Sequence, residues 1–354
     1  MSEVLPSPPR WLSEVTRVLV VKLSSFGDVV HATGSLAALK DALPTVHLSV
    51  AVDAAYVSLL EPLPFVDEVI AGDAGTTRWS HRREAGIHLA GRRFDLAIDL
   101  QGSLRSARWM NACRCRYRIG RAAPGSWRAF RMHWTRVLRP DPDRHAVLVC
   151  AEVLRAIGVP VLDPSPLLRC RVDDERAVSS LLQTEGIAQQ GFLIVNPFSR
   201  WRSKVWPAER YQRLLAGLSK RHRMDIVITG GADEAASGRA LASALADPRV
   251  KSLAGRLSLG EALCLYRRAR LMLTGDSGPM HAAAALGTPV IALFGPTWPE
   301  CVGPWGDGHR VIQRARPPRR DTYRRDPSAG HISAIPVDEV GDALEDALDR
   351  RGPP

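Results

Sequence analysis

The sequence predicts an α/β protein made of two doubly wound, Rossmann-like domains in tandem. Three observations carry this. Short apolar runs alternate with helical periodicity through the first hundred residues, the alternation restarts near Phe192, and a proline-rich stretch without periodicity, Val159 to Arg171, lies between. Short, fully apolar runs fit strands buried on both faces of a parallel sheet, which needs helices over both faces. A chain of 354 residues can build two such domains, each with its own core.

In the first half, Arg17 to Leu23 is the opening strand. A Ser-Ser-Phe-Gly-Asp turn follows, a helix starts at about Asp28, and helical spacing runs from Val29 to Ala42. His47 to Val52, Val66 to Ile70 and Leu96 to Leu100 are further strands, with a charged helical stretch between the last two. In the second half, strands are expected at Phe192 to Asn196, Asp225 to Thr229, Val250 to Ser252, Leu271 to Thr274 and Val290 to Phe294. Helices are expected at Ala208 to His222, Glu234 to Leu245, Leu259 to Arg268 and Met280 to Leu286. The expected domains are 1–172 and 173–354, with the amphipathic helix Val337 to Arg350 able to pack back on the first. Ligands of such sheets gather at the carboxyl ends of the strands, and two sheets suggest a cleft between domains.

Composition narrows the class. At 45% hydrophobic and 24% charged the chain is in the globular range. Its longest apolar runs are strand-sized, too short to cross a bilayer. Met1 to Arg10 has no apolar segment of the secretory type, so a cytosolic protein is expected. The six cysteines, Cys113, Cys115, Cys150, Cys170, Cys264 and Cys301, form no C-x-x-C pair, and no zinc or disulfide framework is expected.

Charge is concentrated. Arg78 to Arg144 holds 16 arginines against five acidic residues, a surplus equal to the whole chain's net +11. A second cluster is Arg314, Arg316, Arg319, Arg320, Arg324 and Arg325. Arginine forks onto carboxylate and phosphate, so these segments suit an anion-binding face. A solvated surface in an arginine-biased composition accounts for them equally well.

Three segments carry chemistry. In Lys22-Leu23-Ser24-Ser25-Phe26-Gly27-Asp28, Asp28 lies where a strand hands over to a helix. It suits an N-cap or a general base that the helix N-terminus keeps ionised. The turn lacks G-x-G-x-x-G, which disfavours a dinucleotide-binding dehydrogenase. In Asn196 to Pro207, Ser199 and Lys204 follow a strand and suit a diphosphate, or simply a basic loop. In Thr274 to Pro289, a strand ends in Asp276-Ser277-Gly278-Pro279 before a small-residue helix carrying His281. The free N–H groups of such a helix start bind anions, and Pro279 fits its first position.

With VVKLSSFGDVVHATGSLAALK at the front, DLQGSLRSA from Asp99 to Ala107, SRWRSKVWP from Ser199 to Pro207 and GDSGPMHAAAALGTPVIALFGPT from Gly275 to Thr297, the chain resembles glycosyltransferase family 9, the lipopolysaccharide heptosyltransferases. The resemblance implies the two-domain GT-B fold and inverting, metal-independent transfer of heptose from ADP-heptose to the lipopolysaccharide inner core. By position it makes Asp28 the catalytic base, Ser199 and Lys204 donor phosphate contacts, and Asp276, Ser277, Gly278 and His281 the loop that holds sugar and diphosphate. Lys204 then takes the catalytic role of neutralising the leaving group. Glu234 would touch ribose or adenine. The first domain would face the acceptor, with Arg82, Arg83, Arg105, Arg108 and Gln101 toward Kdo carboxylates and lipid A phosphates. The implied partners are a nucleotide sugar and an anionic glycolipid at the cytoplasmic face of the inner membrane, with no cofactor beyond the sugar nucleotide and no metal. Many relatives carry cysteines in the segment equivalent to Pro317 to Ala334, which here is arginine-rich, so another sugar, or a protein or other glycan acceptor, stays open. The pI of 9.9 raises nucleic-acid binding as a rival, but no recognisable nucleic-acid motif accompanies the charge.

Overall fold

The Val and Leu run that opens the chain forms β1 (Arg17–Val21), fully buried from Val18 to Val21. In this computed structural model residues 9–72, 85–121, 136–139, 141, 143–216, 218–316 and 331–349 are described. The chain divides into two units, Met1–Leu168 and Arg169–Pro354, so the boundary falls inside the proline-rich stretch.

The first unit's sheet adds β2 (His47–Asp53), β3 (Glu68–Gly72), β4 (Phe94–Asp99), β5 (Cys115–Arg121) and β6 (Arg136–Leu138), in the order β3-β2-β1-β4-β5-β6. All its pairings are parallel. Consecutive strands step outward from β1 to β3, and the chain then returns to the other side of β1. The crevice at that reversal, between the carboxyl ends of β1 and β4, is where such sheets bind ligands. The second unit repeats the plan with β7 (Leu193–Asn196), β8 (Ile226–Ile228), β9 (Val250–Ser252), β10 (Leu271–Gly275), β11 (Val290–Phe294) and β12 (Arg310–Gln313), ordered β12-β11-β10-β7-β8-β9. Its reversal lies between β7 and β10.

Several boundaries differ from expectation. The helix after β1, α1 (Phe26–Ala42), starts before Asp28, because Asp28 Oδ2 accepts the Ser25 N–H at 3.1 Å and the Ser25 hydroxyl at 2.8 Å and closes the first turn. Strand β3 begins after Asp67, whose carboxylate is held by the Leu48 N–H and Lys40, each at 2.7 Å. The helix expected over Ala208 to His222 is two, α5 (Ala208–Leu215) and the short Leu218–His222, with Gly217, a poor helix former, between them in sequence. The charged stretch expected before β4 lies largely outside the described residues.

Strands β5 and β6 and helix α2 (Leu104–Ala112) occupy the arginine-rich region, where charge hides apolar periodicity. Arg118 turns back to donate to the Met110 and Cys113 carbonyls at 3.0 and 2.5 Å, satisfying the end of α2. Helix α3 (Ala146–Arg155) then packs on α1. In the second unit α4 (Val172–Glu185) lies against α7 (Leu259–Arg268), and α6 (Ala235–Leu245) beside β9. The last helix, α9 (Val337–Asp349), buries Val340, Ala343, Leu344 and Leu348 in one cluster with Leu193 and Ile291 of this second unit. These four residues of its apolar face are buried within the second unit.

Candidate active site

The first cluster sits at the β1–β4 reversal. Lys22 follows β1 and is buried to 2% exposure. Its ammonium lies 3.5 Å from Asp28 Oδ1 and donates to the Leu100 carbonyl at 3.2 Å. Asp28 divides its carboxylate: Oδ2 takes the Ser25 groups, Oδ1 faces Lys22, and the side chain stays 42% exposed. Desolvation opposes ionisation of Asp28. The Lys22 ammonium, His31 and the Ser25 N–H and hydroxyl outweigh it, so the carboxyl is held well below the usual carboxylate range. Asp28 thus closes the first turn of α1 and keeps an ionised, solvent-reachable oxygen.

Gln101 is a brace for this turn. Its Oε1 accepts the N–H groups of Leu23 and Ser24 at 2.7 and 3.2 Å, and its own carbonyl accepts Arg121 Nε and Nη2 at 3.1 and 3.0 Å. Asp99, fully buried, accepts the Gln101 and Gly102 N–H groups and the Ser106 hydroxyl. Burial raises its pKa despite those bonds. Arg105 pairs with Asp53 at the end of β2, its Nη1 2.6 and 2.8 Å from the two carboxylate oxygens. Arg108 is half-buried. Arg82 and Arg83 lie outside the described residues, as do Arg319, Arg320, Arg324 and Arg325. Other arginines of the surplus are paired within the protein: Arg92 binds Glu68 and Arg144 binds Glu152. Because Asp53 is 7% exposed and relies on a planar guanidinium, Arg105→Lys should cost about 1 kcal/mol of stability, the worth of one hydrogen bond. A melting temperature equal to that of the wild type would dismiss the pair as a stabilising contact.

The second cluster sits at the β7–β10 reversal. After β7, Ser199 is half-buried, and a single turn, Arg202–Lys204, presents Lys204. Its ammonium meets Asp276 Oδ2 at 2.5 Å, with side-chain exposures of 12% and 7%. The Thr297 hydroxyl donates to the same oxygen at 2.6 Å. Gln313 Nε2 holds the Gly295 and Thr297 carbonyls at 2.9 and 2.8 Å. A Cβ on Gly275 would stand 3.0 Å from the Lys204 carbonyl, so glycine there lets the Lys204 turn close on the end of β10. Helix α8 (Gly278–Ala285) begins after Ser277, whose hydroxyl bonds Thr274 Oγ1 at 3.1 Å rather than capping the first turn. The first-turn N–H groups therefore keep their anion-binding character. His281 is 7% exposed in that turn. Glu234 accepts the Gly231 N–H at 2.6 Å and shapes the loop after β8.

The structure thus brings Lys204, Asp276, Ser277, Gly278 and His281 to one strand end and Asp28 with Gln101 to another. Sequence reading missed Lys22, Asp53 and Thr297 as participants. A lone charge inside the apolar run RVLVVKL was the available signal for Lys22, since buried lysines are rare unless paired. Among the described residues one group could gather metal-ligating atoms, Cys170, Glu175 and Cys264, within 4.8 Å of one another. Both Glu175 oxygens are already held by Arg267 and Arg268.

The profile of glycosyltransferase family 9 (heptosyltransferase) matches residues 82–330. The chain belongs to glycosyltransferase family 9. It is a glycosyltransferase of the heptosyltransferase family, with the GT-B fold expected from its motifs. Lipopolysaccharide heptosyltransferase 2 of Salmonella typhimurium is 28% identical over 84% of this chain and 88% of its own length. Lipopolysaccharide heptosyltransferase 1 of Pseudomonas aeruginosa is 28% identical over 82% of this chain and 81% of its own. Among solved structures, a family 9 glycosyltransferase from Veillonella parvula superposes with a TM-score of 0.82 at 24% identity, covering 98% of this chain and 100% of that one. An E. coli heptosyltransferase solved with ADP gives 0.72 at 22% identity, covering 94% and 100%.

Proposed function

We propose that this family 9 enzyme transfers heptose from ADP-heptose to an anionic lipopolysaccharide inner-core acceptor, with inversion and without a metal. One observation carries the reading. An ionised, half-exposed carboxylate stands at one reversal point, and a lysine beside an uncapped helix start stands at the other. The relatives' names supply the sugar and acceptor class.

In this reading the ADP diphosphate takes the Lys204 ammonium, the Ser199 hydroxyl and the first-turn N–H groups of α8. These stabilise the charge that grows on the leaving phosphate, a task a divalent cation would otherwise perform. Asp276 fixes Lys204, and Glu234 serves the nucleoside. The acceptor oxygen bonds to the anomeric carbon as the bond from that carbon to the phosphate oxygen breaks, and Asp28 takes the acceptor's proton. A carboxylate of depressed pKa is a weak base. It removes the proton only once the hydroxyl has begun to bond to carbon and grown acidic, which makes the proton transfer late. Arg108, Arg82 and Arg83 are proposed to draw the acceptor's carboxylates and phosphates, with Arg105 and Gln101 shaping the same strand ends. No helix among the described residues is long and apolar enough to cross a membrane, and attachment to the cytoplasmic face of the inner membrane through those charges completes the reading.

A panel of nucleotide sugars offered with Kdo-lipid A and heptosyl-Kdo acceptors tests it, with ADP release and labelled product as readouts. ADP-heptose should be preferred, and turnover should survive EDTA. Loss of activity in EDTA with rescue by Mg²⁺ or Mn²⁺ would overturn the lysine-based scheme. Preference for another sugar, or for a protein acceptor, would reassign the substrate.

A further inference from the structure

We propose that Lys22 is a positioning residue for the reaction, its buried ammonium clamping the free oxygen of Asp28 to the end of β4. The inference rests on the reading of Asp28 as base. The helix cap does not require Lys22: Asp28 Oδ2 alone accepts both Ser25 groups. The ammonium instead addresses Oδ1 at 3.5 Å and the Leu100 carbonyl at 3.2 Å, so it ties the carboxylate to both strands that flank the crevice. A lysine at 2% exposure is costly to desolvate, and an uncharged side chain would fill the site without that cost. What only the ammonium supplies is a fixed charge and a fixed aim for Asp28.

Among the described residues, these other charged or titratable groups surround the turn. His31 lies on α1 itself, its ring centroid 5.4 Å from that of His145 at the start of α3. Asp53 at the end of β2 is paired with Arg105, Asp99 at the end of β4 is buried in its own hydrogen bonds, and Arg121 at the end of β5 is on the Gln101 carbonyl. Tyr56 stacks on Phe26 beside the turn. Among the described residues Lys22 is the lysine or arginine that contacts the Asp28 carboxylate.

The test uses the full chain with Lys22→Gln, which keeps a donor for the Leu100 carbonyl and removes the charge, and Lys22→Arg, which keeps the charge. Turnover is measured from about pH 3 to 9 for each, with donor and acceptor KM. An adjacent cation typically lowers a carboxylate pKa by about 1–3 units. Lys22→Gln should therefore raise the acidic limb toward the ordinary aspartate value of about 4, where the wild type is still flat, and lower kcat about tenfold with donor KM within twofold. Lys22→Arg should restore the flat acid side. Any limb from His31 is common to all three enzymes. A Lys22→Gln enzyme with wild-type kcat and no new limb overturns the proposal, and so does one whose donor KM rises as its kcat and melting temperature fall. Asp28→Asn separates the two ideas. If it keeps turnover, the base reading itself fails; if it abolishes turnover while Lys22→Gln behaves as wild type, only the role of Lys22 fails.

Discussion

Asp28→Asn is expected to lower turnover at least about a hundredfold, the usual scale for loss of a general base, while ADP affinity stays unchanged. The substitution is a narrow one. The asparagine carbonyl oxygen can still accept the Ser25 N–H that Asp28 Oδ2 accepts at 3.1 Å, so the first turn of α1 keeps its closure. What disappears is the negative charge and the proton acceptor. Lys22, 3.5 Å away, would then be buried opposite a neutral amide, so a modest drop in melting temperature should accompany the kinetic loss. The ligand-binding readout matters because ADP belongs to the other unit in the proposed scheme. Calorimetry should give the same affinity for wild type and variant. Near-normal turnover would leave Asp28 with its capping role alone. For the wild type, a carboxyl held well below the ordinary range loses its proton before an unfolded aspartate would. Its limb of the pH–rate profile should therefore fall below about pH 4, the ordinary aspartate value.

Lys204→Met should be the most destabilising of the site substitutions. Asp276 would remain 7% exposed with its cation gone, still accepting from the Thr297 hydroxyl. Breaking a buried pair in this way costs about 3–5 kcal/mol, because the surviving charge is stranded. Chemical denaturation would read that loss. The same variant should weaken ADP binding by about 1.5–3 kcal/mol, the range for a hydrogen bond to a charged group. A double substitution separates the two effects. Lys204→Met with Asp276→Leu removes both charges, so stability should largely return while ADP affinity does not. Unchanged ADP affinity in either variant would take Lys204 out of the donor site and leave the pair a structural one.

The two parallel sheets, and the strand ends at which ligands of such sheets gather, could be read from the sequence. Each opening strand is a short run of branched apolar residues because it is covered on both faces, and each is followed by a polar turn and a helix. That local pattern survives in any fold it can join, which is why β1, β4, β7, β10 and the helices after β1 and β10 were legible. The strands β5 and β12 were not. Arginines mask the apolar alternation of β5, β12 is only four residues long, and both are strands because a neighbouring strand edge completes their hydrogen bonds. The roles of individual charges were decided only by tertiary structure. Arg105 reads in sequence as one more anion-binding arginine, but its partner Asp53 is 52 residues away and reaches it through the register of β1, β2 and β4. Lys204 and Asp276 read as two separate phosphate-loop residues, yet they meet across 72 residues because β7 and β10 lie side by side. Charge attraction depends on distance through space, and a linear sequence records only distance along the chain.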